Sequence, residues 1–128
     1  MTIPNTRVPG ERRALIVEDE GLIAMLIEDY LLDMGFSEVT TAASLKEGLR
    51  SAREGRFDVS VLDVNLRGER SDEIAAMLIQ RGVPFTFTTG YGRVGLSEEY
   101  TDIPVATKPV QFAELRDIVE RLLGSLSS

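Results

Sequence analysis

Four short apolar runs in this chain each lead into a polar group capable of chemistry. Ala14-Leu15-Ile16-Val17 runs into Glu18, Asp19 and Glu20; Val59-Ser60-Val61-Leu62 into Asp63; Phe85-Thr86-Phe87 into Thr88 and Thr89; and Val105-Ala106 leads to Lys108. Runs of this length, rich in Val, Ile and Phe, read as buried parallel strands, because a strand covered by helices on both faces has no solvent side to keep polar. Ligands of such sheets bind beyond the strand carboxyl ends. One edge of one sheet is therefore expected to gather carboxylates, a hydroxyl and an ammonium, and the chemistry is expected there.

Composition excludes several alternatives. A chain of 128 residues is expected to form one domain. Its net charge of −7 argues against a nucleic-acid or anionic-membrane surface, since phosphates require a basic footprint. With no Cys there is no thiolate nucleophile, disulfide or zinc-thiolate site, and with no His there is no imidazole base or phosphohistidine. Any metal must be a hard, oxygen-seeking ion such as Mg2+. Met1 to Gly10 carry no apolar core of a secretory signal, and no later run has membrane-spanning length, so a cytoplasmic protein is expected.

Helix and strand signals alternate along the chain. Leu22, Ile23, Leu26, Ile27, Tyr30, Leu31 and Met34 recur at helical spacing and Gly35 supplies a stop. Glu38 to Ala42 reads as a strand, and Ser44 with Glu47 as a capping box opening a helix to about Glu54. Phe57 to Leu62 is the central strand, Glu73 to Gln80 a third helix ending near Gly82, and Phe85 to Thr88 the next strand. A weakly specified helix is expected within Leu96 to Tyr100, then a strand near Pro104 to Ala106. The last helix, Gln111 to Leu123, carries the stripe Phe112, Leu115, Ile118, Val119, Leu122 and Leu123. Five strands alternating with five helices imply a doubly wound, flavodoxin-like (βα)5 fold, its parallel sheet ordered 2-1-3-4-5. The domain is expected over residues 12–123, between flexible tails at 1–11 and 124–128.

In that order strands one and three are neighbours, so Glu18, Asp19 and Asp63 converge. Like charges at ~4 Å and an effective dielectric near 20 repel by about 4 kcal/mol per pair, so a cation must offset them. Mg2+ meets that need with few carboxylates, waters and a phosphate, and Lys108 can approach from the other side.

At Glu18-Asp19, Asp63, Thr89 and Lys108-Pro109 the chain resembles the receiver domain of bacterial two-component response regulators, over roughly Arg12 to Leu123. Pro84-Phe85-Thr86-Phe87-Thr88-Thr89-Gly90-Tyr91 is also similar to the PFxFATG(Y) motif of a receiver subfamily, with Thr88 where that motif usually has Ala. The resemblance implies that Asp63 accepts a phosphoryl group from a histidine kinase or histidine phosphotransfer protein. It implies Mg2+ held by Asp19, Asp63 and the backbone carbonyl of Asn65, with Glu18 acting through water. Lys108 and the Thr89 hydroxyl are then the phosphoryl contacts, and movement of Thr89 is the switch. Output is expected through protein contact on the face of the fourth helix, fifth strand and fifth helix. The resemblance leaves room for a homodimer. Because only Gly124 to Ser128 follow the last helix, a single-domain regulator acting in trans is expected.

Two positions depart from the family. Glu18 stands where Asp is common, and Val105 occupies the place of the usual aromatic rotamer switch. Tyr91 is therefore expected to be the moving aromatic, with Gly90 and Gly92 giving its loop freedom. Asn65 and Tyr91 occupy the positions that in the family flank the water path to the acyl phosphate, and the resemblance implies that they set its lifetime.

The same residues admit rival readings. Taken singly, each is an ordinary turn or capping group; only their joint occurrence carries the receiver reading. Gly90-Tyr91-Gly92-Arg93-Val94-Gly95 matches G-x-G-x-x-G but follows the fourth strand rather than the first. A haloacid-dehalogenase type of phosphatase shares the Asp nucleophile but places a second Asp two residues later as general acid, where this chain has Asn65. A phosphate sink without an output partner uses the same site. A phosphoacceptor switch rather than an enzyme is the expectation.

Overall fold

The computed structural model describes residues 11–91 and 96–127. Its strands are β1 (Arg13–Val17), β2 (Glu38–Ala42), β3 (Val59–Asp63), β4 (Asn65–Leu66), β5 (Glu69–Arg70), β6 (Phe85–Thr89) and β7 (Val105–Thr107). Its helices are α1 (Gly21–Asp33), α2 (Leu45–Glu54), α3 (Asp72–Gln80) and α4 (Phe112–Ser127). The main sheet is parallel in the order β2-β1-β3-β6-β7, the doubly wound order expected.

The apolar runs become strands because both of their faces are covered. Ile16, Val61 and Ala106 pack with Ile27, Leu31, Leu115 and Val119 under α1 and α4. On the opposite face Leu15, Val17, Leu62, Phe85 and Phe87 pack with Ile74 and Leu78 under α3. Each fully buried Leu, Ile or Phe contributes roughly 1.5–3 kcal/mol over its exposed state. The α2 cap forms in its main part as the motif dictates, Ser44 Oγ accepting from Glu47 N at 3.1 Å, while Glu47 Oε1 reaches one residue further back and accepts from Ala43 N at 3.0 Å. Gly35 ends α1 at a φ of +100°, a region that strains any side chain. At Gly48 a Cβ would meet Ile74 Cδ1 at 2.5 Å and Val17 Cγ1 at 3.0 Å, so a side chain there would force these two to shift.

The structure departs from or adds to the sequence reading in four places. Among the described residues the fourth helix is reduced to a single 3-10 turn, Glu98–Tyr100, because two adjacent glutamates and one aromatic supply no apolar stripe. That turn is instead pinned by Tyr100, which is buried edge-on against Phe87 and donates its hydroxyl to the Asp72 carbonyl at 3.3 Å. Asn65 to Arg70, to which the sequence reading gives no element, is an antiparallel hairpin. Its two-residue turn, Arg67 (φ +53°) and Gly68 (φ +86°), has the paired positive φ of a type I′ turn. The α1 stripe is wider than its buried face: Ile27 and Leu31 are buried, whereas Leu22 and Leu26 are exposed. Finally α4 continues to Ser127, beyond the end expected at Leu123; Gly124 weakens a helix by only about 1 kcal/mol and does not end it. Residues 1–10 of the tail expected at 1–11, and the Gly92 and Gly95 positions of the glycine motif, lie outside the described residues.

Candidate phosphoryl-transfer site

Strand register assembles the site. Val17 pairs with Leu62, so Glu18 and Asp63 are the next residues of adjacent strands, and Glu18 N extends the ladder by donating to the Ala42 carbonyl at 3.0 Å. Asp63 in turn pairs with Thr88 on β6, and Thr89 pairs with Thr107 on β7. Lys108 follows immediately, tethered by its backbone N–H to the Thr89 carbonyl at 2.9 Å and joined to Pro109 by a cis peptide. Carboxylate oxygens of Glu18, Asp19 and Asp63 all lie within 4.8 Å of one another. All but one of the residues expected here (Glu18, Asp19, Asp63, Asn65, Thr89, Gly90, Tyr91 and Lys108) converge on this edge. Val105 is the one that stands apart, half-buried against the Leu62 and Phe87 side of the core.

Lys108 is the internal counter-charge. Its Nζ donates to Asp63 Oδ2 at 2.9 Å, lies 3.0 Å from Glu18 Oε1 and 4.0 Å from Glu20 Oε1. Burial alone would lower the ammonium pKa, but the hydrogen bond to Asp63 and the close negative charges of Asp63 and Glu18 together outweigh it and the pKa is raised. Glu18 is only 1% exposed, and desolvation, followed by repulsion from Asp63, raises its pKa to about 7. Its Oε2 accepts from Glu20 N at 3.1 Å, whereas the buried Oε1 faces Lys108 without an aligned hydrogen bond. One ammonium therefore serves two carboxylates, with Asp19 beside them. An all-oxygen, carboxylate-rich donor set with an undersatisfied buried oxygen fits a small hard cation such as Mg2+.

These groups face an open cavity of about 620 Å³, lined by Asp19, Asp63, Asn65, Thr89, Tyr91 and Lys108 among others. Its two walls are built differently. Asn65 N donates to Asp63 Oδ1 at 3.1 Å, and Asn65 Oδ1 accepts from Gly68 N at 2.7 Å, so one residue orients the carboxylate and closes the hairpin. Opposite, Thr89 Oγ1 accepts from Tyr91 N at 3.1 Å and the Tyr91 side chain is 81% exposed. Thr88, which departs from the motif's Ala, is buried in register with Asp63, and its hydroxyl has no partner among the described residues. Arg67 and Arg70, which also line the cavity, were missed from sequence. The available signal was Arg67-Gly68, a two-residue turn with Gly second.

A doubly wound α/β domain with an Asp, an acidic pair, a hydroxyl and a Lys at adjoining strand ends is the arrangement of a signalling switch. Residues 14–120 match the response regulator receiver domain, and the chain belongs to that family, which acts in phosphorelay signalling. It is 36% identical to SdrG from Sphingomonas melonis Fr1, whose solution structure superposes with a TM-score of 0.79 over 91% of this chain and 99% of that one. The receiver domain of the PhyR response regulator from Erythrobacter litoralis is 27% identical, with a TM-score of 0.78 over 89% of this chain and 91% of that one. The transcriptional regulatory protein PdtaR of Mycobacterium tuberculosis is 28% identical over 94% of this chain, which spans 62% of the length of that relative. Among the described residues no helix is long and apolar enough to cross a membrane.

Proposed function

We propose that Asp63 is the phosphoacceptor and takes its phosphoryl group from a phosphohistidine on a kinase or phosphotransfer protein. One observation carries the reading: the Lys108 ammonium sits on both Asp63 and Glu18, with Asp19 within ligand distance of them. An Asp63 oxygen forms the new bond to phosphorus as the P–N bond to the donor imidazole breaks, giving an acyl phosphate and neutral histidine. Asp19, Asp63 and the Asn65 carbonyl would hold Mg2+, with Glu18 acting through water; bound there, the ion neutralises charge on the transferring phosphoryl group.

The chain's own residues do the remainder. Asn65 aims the Asp63 carboxylate, Lys108 transfers its hydrogen bond from that carboxylate to a phosphoryl oxygen, and Thr89 donates its hydroxyl proton to another. Because Thr89 Oγ1 already holds the Tyr91 backbone N–H, a shift of Thr89 toward the phosphoryl group pulls on Tyr91. That link supports Tyr91 as the moving aromatic in place of an aromatic at Val105. Output then follows through the face that includes β7 and α4, to a partner protein. The phosphatase reading lacks support: Asn65 Oδ1 is occupied by Gly68 N, and an amide cannot protonate a leaving group.

Intact mass after incubation with a small-molecule phosphodonor, with and without Mg2+, tests the proposal. One added phosphoryl group that requires both Mg2+ and Asp63 is expected. Addition that survives Asp63→Asn, or multiple turnover of phosphate esters, overturns it.

A further inference from the structure

Lys108 does not reach every carboxylate of the site. It covers Asp63 and Glu18, but the cation nearest Asp19 belongs to the hairpin: Arg67 Nε lies 3.9 Å from Asp19 Oδ2. We propose that Arg67 is a built-in counter-ion of Asp19 which a divalent metal must displace, so that this one side chain sets the metal affinity of the site. The inference rests on the reading of Asp19 as a metal ligand.

Three observations converge on it. The first is position: β4 pairs with β5 so that the turn residues Arg67 and Gly68 both line the cavity that contains Asp19, Asp63 and Lys108. The second is an unfavourable choice of residue. Arg67 occupies the first position of a type I′ turn at a φ of +53°, where Asn, Asp or Gly is the ordinary occupant and a long side chain is strained. The guanidinium is thus placed here against local backbone preference. The third is charge. Arg70, the other guanidinium of the hairpin, is engaged by Asp72 Oδ1 at 3.2 Å, which leaves Arg67 as the hairpin cation facing Asp19.

The consequence is competition. Arg67 is 75% exposed and Asp19 15%, so the pair is partly screened and weak enough to be displaced. A metal at Asp19 replaces the guanidinium and also meets its positive charge nearby. Both effects weaken metal binding relative to a neutral residue at position 67. Arg67→Asn removes the charge and suits the turn, whereas Arg67→Lys retains the charge. Calorimetric titration of Mg2+ into the whole protein at low and high salt reads the effect directly.

Arg67→Asn is expected to bind Mg2+ about three- to fivefold more tightly than the native protein, the range that loss of an exposed ion pair supports. Arg67→Lys should stay near the native value, and the gap between native and Asn proteins should narrow as salt rises. Arg67→Gly provides a second neutral variant compatible with the turn. If the native protein binds Mg2+ and acquires a phosphoryl group on Asp63, yet both neutral variants bind Mg2+ with native affinity, Arg67 is only a turn residue and the inference falls alone. A change in melting temperature without a change in Mg2+ affinity overturns it in the same way. A native protein that binds no Mg2+ and takes no phosphoryl group overturns the site reading and this inference together.

Discussion

The two walls of the cavity beside Asp63 are made from chain segments of similar position and opposite character. Both follow central strands of the same sheet. The wall after β3 is cross-linked at short range: Asn65 bonds Asp63 and Gly68, and Ser71, buried, returns both its N–H and its hydroxyl to the Val64 carbonyl at 3.0 and 3.2 Å. The wall after β6 leaves Tyr91 in solvent, held back to Thr89 by one hydrogen bond, and Tyr100 further along is anchored by its hydroxyl on the Asp72 carbonyl. A switch needs such asymmetry. The nucleophile must be held still, while the element that reports its charge must be able to move at little cost.

The largest expected effect breaks the fixed wall at its centre. Asp63→Asn should abolish phosphoryl addition, read as intact mass, while the fold persists, since the amide retains the shape of the carboxylate. Next is Lys108→Met, which strips the cation from two buried carboxylates. In chelator it should lower stability by roughly 2 kcal/mol, less than a fully buried pair because Lys108 is 16% exposed, and Mg2+ should recover most of that loss. Denaturant melts with and without Mg2+ measure it, and equal losses in both would deny that the metal and Lys108 serve the same carboxylates.

Thr89→Ala removes one donor to the phosphoryl group and should slow phosphorylation on the order of tenfold or more in single-turnover assays. Tyr91→Ala lies entirely on the wall after β6. It should leave the phosphorylation rate within about twofold and erase the difference in partner affinity between the unphosphorylated and phosphorylated forms; an intact difference would remove Tyr91 from the switch. The smallest effect belongs to Gly68→Ala, at a φ of +86°, with a loss of about 1 kcal/mol seen as a fall of roughly 4 °C in melting temperature.

Legibility in the sequence followed the range of the interactions concerned. β2 and the α2 cap were readable to the residue because a short β-branched run and a Ser44–Glu47 capping box are local. The 3-10 turn at Glu98–Tyr100 was overestimated as a helix because its order comes from Tyr100 reaching Phe87 and Asp72, contacts invisible to periodicity. The exposure of Leu22 and Leu26 was likewise hidden, since an apolar stripe reports that one face of a helix is buried and not how wide that face is.

By itself the sequence determined the alternation of strands and helices, the caps, and the placement of Glu18, Asp19, Asp63, Thr89 and Lys108 at strand ends, because each depends on neighbours a few residues away. Tertiary structure decided which charge meets which. Lys108 reaches Asp63 across 45 positions of chain and Arg67 reaches Asp19 from a hairpin turn, and both contacts exist only once strand register and turn geometry are set. Coulomb energy acts through space, and only the folded sheet decides which distances along the chain become distances of 3–4 Å.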